Sequence, residues 1–165
     1  MMSLPRVLNL DKDGTLRMQI LPQATTLRSN TLTPAMDNKS TVLTLNRANG
    51  ELQCDGVKGR AFEIAIGYGE TKLVHVSYQP ERHVLLVDDQ EIPLQQSDKP
   101  SIHGFVDGSV VELILGERIG YTKRFYYDEK TAPDIKIRVS GEAATANAWN
   151  IKPISGDRLT TPAHA

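Results

Sequence analysis

Short apolar runs with period-two alternation, broken by Gly, Asp, Asn and Pro, fill most of the chain. That pattern predicts many β-strands. The segment VLNLDKDGTLRMQIL reads as strand, turn, strand: Val7 and Leu8 precede a turn at 11–14, and Leu16, Met18 and Ile20 follow on one face. Asp-x-Asp-Gly suits the reversal, because Asp and Gly tolerate the backbone angles of a tight turn. Residues 21–38 are polar and weakly periodic, with room for a short helical turn near 23–28. Strands resume at STVLTLN and RAFEIAIGYG, where Phe62, Ile64, Ile66 and Tyr68 share one face, as in a sheet with one side in a core.

The pattern continues through KLVHVSYQ, HVLLVDDQEIPL, SIHGFV and SVVELILGER, the last two flanking Asp107-Gly108, a two-residue hairpin signal. YTKRFYY puts Tyr121, Phe125 and Tyr127 on one side, IKIRVS groups Ile135, Ile137 and Val139, and TANAWNIKPI reads as a last strand. The count is about ten to twelve strands with turn signals every eight to twelve residues, which points to a sandwich or barrel. No long helical pattern and no recurring blade motif are present. The 165 residues suit one domain, large enough to fold without metal or disulfide. The expected boundaries are a β-sandwich over residues 1–154 and a loose tail over 155–165, where apolar periodicity ends.

Charge narrows the partners. With 19 basic and 20 acidic residues the formal net charge is −1, and no block of like charges breaks the balance, so neither nucleic acid nor an anionic membrane is expected to bind. No window of the sequence approaches 18 apolar residues, so no membrane span is expected. The N-terminus lacks the apolar core and cleavage site of a signal peptide, which favours the cytoplasm while leaving the compartment open. Cys54 is the only cysteine and reads as a buried structural residue.

Groups with potential chemistry have plain alternatives. Asp11, Asp13 and Gly14 start like a calcium loop, but no Glu closes it, so a turn is the better reading. Asp88, Asp89 and Glu91 cluster after VLLV. Paired carboxylates can cleave glycosides, but neighbours in a strand or turn point apart, so a solvated hairpin tip is expected. His75, His83, His103 and His164 are too dispersed for a zinc site. Ser109, near Asp107, lacks a nucleophile elbow. No cofactor and no metal are therefore expected. Trp149, the single tryptophan, is the weak candidate for a sugar-stacking platform, though its alternating run also suits a core position.

Two segments carry a family resemblance. SLPRVLNLDKDGTLRMQILPQATTLR, residues 3–28, is similar to the junction of glycoside hydrolase family 32 (the invertase, levanase and β-fructosidase family), where a Leu-Pro-Arg strand leaves the catalytic propeller. IHGFVDGSVVELILGERIGYTKRFYY, residues 102–127, resembles the family's strand, Asp-x-Ser turn, Glu-containing strand and aromatic-rich strand. The chain departs from the family at Gly108, where Arg is frequent, near Ala24, where an acid is common, and near Gly116, where the family has an Asn-Asp-Gly turn.

The resemblance implies the C-terminal domain of such an enzyme: an all-β, two-sheet antiparallel β-sandwich of the concanavalin A-like, lectin-like jelly-roll class. The family's catalytic residues sit in a five-bladed propeller, in W-M-N-D-P-N-G, R-D-P and E-C motifs, and none of these occurs here. The implied role is non-catalytic: support of that propeller, with Leu4, Pro5 and Arg6 as contact candidates, or an oligomer contact. A stand-alone carbohydrate-binding module for fructan or another glycan is the rival. The partners in view are the propeller, carbohydrate and a second copy of the chain.

Overall fold

The computed structural model describes residues 5–127, 132–141 and 144–152. In chain order the strands are β1 (Arg6–Leu10), β2 (Leu16–Ile20), β3 (Arg28–Thr31), β4 (Ala35–Asp37), β5 (Ser40–Leu45), β6 (Asn49–Gly56), β7 (Phe62–Tyr68) and β8 (Thr71–Gln79). They continue with β9 (Val84–Val87), β10 (Gln90–Pro93), β11 (Ser101–Asp107), β12 (Val110–Leu115), β13 (Ile119–Arg124), β14 (Ile135–Ser140) and β15 (Ala144–Ile151). Short 3-10 turns cover Pro22–Leu27 and Asn46–Ala48.

One sheet runs β10-β9-β8-β7-β14-β5-β4, the other β13-β12-β11-β6-β15-β3, and every pairing is antiparallel. The hairpin β1-β2 stands apart as a two-stranded sheet. The core fills the space between the two large sheets, with Leu43, Ile64, Val76 and Ile137 from one and Leu52, Ile102, Leu113 and Ala148 from the other, all buried. Alternation produces it: in β14 the buried residues are Ile135, Ile137 and Val139, and Lys136 and Arg138 face water. This is the all-β sandwich expected from the sequence.

Two details differ from expectation. The described residues hold fifteen strands, more than the ten to twelve read from the pattern, because β3, β4 and β6 carry little alternation. The β11-β12 loop is Gly108-Ser109, since Asp107 pairs with Val110, one residue later than Asp107-Gly108; Gly108 takes the positive φ of +57° that this turn requires. In addition, β12 is buried on both faces, with the N-terminal hairpin covering part of its outer side through Ile20 on Ile114 and Arg6 on Glu112. The segment 153–165, and with it the whole of the expected tail 155–165, lies outside the described residues.

Candidate functional site

The outer face of the six-stranded sheet is where the chain's unusual side chains gather. The hairpin β1-β2 lies across part of it. Its turn follows the sequence reading: Gly14 N–H donates to Asp11 O at 3.0 Å, Thr15 N–H donates to Asp13 Oδ1 at 2.9 Å, and Gly14 has φ +81°. Ile20 is buried against Phe105 and Ile114, and Met18 N–H donates to Glu117 O at 2.7 Å. The Arg6 guanidinium bonds the Glu112 carboxylate. It packs over Gly120, where a Cβ would come within 2.8 Å of Arg6 Nη1; glycine here permits the close approach.

Beyond this anchored part the hairpin overhangs. Leu10 pairs directly with Leu16, and Leu8 with Met18, so all four share one face. Leu8, Leu10 and Leu16 are 59%, 74% and 52% exposed, a contiguous apolar patch left open among the described residues. Of the residues singled out in the sequence, Leu4 lies outside the described residues, Pro5 is exposed, and Arg6 is half-buried and engaged with Glu112 of the six-stranded sheet. The exposed apolar surface is thus two to ten residues further along.

A second cluster centres on Glu51 of β6, only 2% exposed. Arg28 grips it with two bonds, Nε to Oε2 at 2.7 Å and Nη2 to Oε1 at 2.6 Å, and His103 Nε2 lies 2.7 Å from Oε1. Burial pushes the Glu51 pKa up, but the hydrogen bonds and charges of Arg28 and His103 outweigh it and hold the carboxyl below its ordinary range. The Arg28 guanidinium also covers the Trp149 ring, 3.7 Å above its centre. Trp149 is therefore a half-buried residue of the outer face, with one side of its ring occupied. A cleft of about 250 Å³ lies between this cluster and β2, lined by Glu51, Gln53, His103 and Thr25 among others.

Two further acids, Asp98 and Asp88, tie elements together. Asp98 has no exposed side-chain surface and sits between Arg17 and Arg118, with Arg118 Nε 3.2 Å away. Burial raises its pKa, but the Arg17 bond, the Gln95 N–H and the two arginine charges bring it below the usual carboxylate range. Asp88, read as a solvated hairpin tip, does occupy the β9-β10 turn, but it is only half-exposed. It accepts from His75 N–H at 2.9 Å, Tyr121 Oη at 2.8 Å and Lys123 Nζ at 2.7 Å, joining the two sheets. The other two acids of that cluster point elsewhere: Asp89 is exposed and Glu91 pairs with Arg82. His75, His83 and His103 stay apart, with His83 between Tyr78 Oη and Gln95 O. Cys54 is buried, which pushes its thiol up to about 12.

Sequence patterns did not reveal Arg28, Glu51, His103 or the Arg17–Asp98 pair, since their partners lie 23 to 81 residues apart. The one local hint was Glu112, a lone acid inside the apolar run VVELIL.

No protein-family model matches the sequence, and no curated protein matches it. Solved structures do match. A family 32 β-fructofuranosidase of Bombyx mori superposes with a TM-score of 0.73 at 20% identity, over 91% of this chain and 32% of that one. A family 32 glycoside hydrolase of Bifidobacterium adolescentis gives 0.69 at 19% identity, over 92% and 26%. An exo-inulinase of Aspergillus awamori gives 0.67 at 15% identity, over 91% and 35%. The chain spans about a third of the length of these enzymes. It has the β-sandwich fold of a part-length module found in glycosidases of glycoside hydrolase family 32.

Proposed function

We propose that the chain is the non-catalytic C-terminal sandwich of a β-fructosidase-type glycoside hydrolase, and that it docks on the enzyme's five-bladed catalytic propeller through the N-terminal hairpin. The carrying observation is the patch of Leu8, Leu10 and Leu16, exposed on a hairpin that is itself anchored firmly to the sandwich. Apolar surface grouped this way marks an interaction site. The partner is taken from the matched enzymes, of which 65–74% of the chain lies beyond the part this fold covers.

The acids support a non-catalytic role. Retaining hydrolysis pairs an ionised carboxylate with one whose pKa is raised so that it can donate a proton. Glu51, Asp88 and Asp98 are all held below the ordinary range by cationic partners, which leaves them as acceptors.

Mixing the purified chain with a separately produced family 32 propeller tests the reading. A one-to-one complex by sedimentation is expected, with no hydrolysis of sucrose, inulin or levan by the sandwich alone. Replacing Leu8, Leu10 and Leu16 together by Ser is expected to weaken the complex about 100-fold or more, given roughly 1.5–3 kcal/mol per buried leucine. Hydrolysis by the chain alone overturns the non-catalytic reading. No complex, or leucine-dependent self-association in its place, overturns the docking.

A further inference from the structure

A recess of about 1,040 Å³ opens at the Ser109 end of β12, lined by the 3-10 turn Asn46–Ala48, the β11-β12 loop and the ends of β3, β13 and β15. Its size is at the top of the range for small-molecule sites. The β1-β2 hairpin meets the opposite end of β12, at Glu117, so this recess is separate from the proposed docking patch.

Its lining has a particular chemistry. Asn30, Asn46, Asn49 and Asn150 all contribute to it, and each side-chain amide offers two donors and a two-lone-pair acceptor. Tyr126 stands at the wall, 77% exposed, with the Arg124 guanidinium 5.6 Å from its ring centre. Among the described residues the lining carries Arg47 and Arg124 against Asp107, and Asp134, outside the lining, accepts from the Arg47 backbone N–H. Asn49 Oδ1 is buried without a hydrogen-bond partner among the described residues, and such an acceptor demands explanation.

The floor is also held rigid. Arg47 and Ala48 are consecutive non-glycine residues with φ of +51° and +50°, a strained arrangement that persists only when its surroundings enforce it. Here Asp134 Oδ1 accepts from Arg47 N–H at 2.9 Å, Asn150 Oδ1 from Asn46 N–H at 3.0 Å, and Ala48 O from Gly108 N–H at 2.9 Å.

We infer that this recess binds a neutral oligosaccharide. Adjacent hydroxyls, each both donor and acceptor, match the amides, and the C–H face of a sugar ring matches the exposed tyrosine. Neutral amides outnumber charged groups in the described lining, four asparagines against two arginines and one aspartate, which favours a neutral ligand over an anion. A preformed floor lowers the ordering cost of binding.

The test is an NMR titration of the ¹⁵N-labelled full chain with kestotriose, maltotriose, cellotriose and xylotriose, and separately with inorganic phosphate. At least one trisaccharide is expected to bind saturably, with shifts at Asn30, Asn49, Asn150 and the 124–126 backbone. Tyr126→Ala, at a surface position, and Asn49→Ala are each expected to weaken it tenfold or more; Leu8→Ser is expected to leave it unchanged. Spectra of the free variants verify the fold, and Tyr126→Phe, which keeps the ring, is expected to bind within about threefold of the parent. No binding by any of the four, shifts confined to the Trp149 face, undiminished binding by Tyr126→Ala, or binding of phosphate alone would each overturn the proposal.

Discussion

Asp98 is the residue on which the N-terminal half of the outer face depends. Its carboxylate holds Arg17 of the hairpin and Arg118 of the β12-β13 turn, and also accepts from Gln95 N–H at 2.6 Å. Removing one partner of a buried ion pair strands the other, so Asp98→Ala is expected to cost about 3–5 kcal/mol in urea unfolding. Its folded pKa lies below the unfolded value of about 3.9. The stability it supplies is therefore complete above pH 4–5 or so and is lost as pH falls through the folded pKa. A urea series from pH 7 to 2 is expected to show a steeper acid loss in the parent than in Asp98→Asn. Cys54 gives a second residue-scale check. With its thiol pushed up to about 12 by burial, it is expected to stay unreactive toward a disulfide reagent at pH 8 until the chain unfolds.

At the scale of elements, β6 shows what pattern reading reaches and where it stops. Strands with one polar and one apolar face, such as β7 and β14, are legible because alternation is local. The sequence of β6, NGELQCDG, interleaves Leu52 and Cys54 with Gly50, Glu51 and Gln53, and nothing in it announces a central strand. It is central because Arg28 and His103, 23 and 52 residues away, neutralise Glu51 on its outer face. Burial of a charge depends on partners that the strand's own sequence does not contain. Gly56, at the end of β6, is required by contact: a Cβ there would press on the Phe62 ring and approach Pro100 O to 2.8 Å. Gly56→Ala is expected to lower stability by about 1–3 kcal/mol, measured by thermal unfolding. The hairpin was legible as strand, turn, strand, and its shared face of Leu16, Met18 and Ile20 was too. That Ile20 is covered while Leu8, Leu10 and Leu16 overhang was not, because alternation marks an apolar face without saying what covers it.

For the whole molecule, the two sheets are joined by the oily core and, at one edge, by Asp88. Burial raises the Asp88 pKa, but bonds from Lys123, His75 N–H and Tyr121 outweigh it. In return burial, reinforced by Asp88, pushes the Tyr121 hydroxyl up to about 12. Asp88→Ala is expected to cost about 2 kcal/mol, the scale of hydrogen bonds to a charged group, and to increase hydrogen exchange along β13. The same architecture leaves one side of the sandwich braced by ion pairs and the hairpin's leucines uncovered, which is how a module built to sit against a larger domain would look. The direct measurement is amide hydrogen exchange of the full chain with and without a family 32 propeller. The account predicts strong new protection over residues 7–19, with little change along β4 and β10 at the edges of the seven-stranded sheet. Protection centred on those edges, or none in the hairpin of a complex that demonstrably forms, would contradict it.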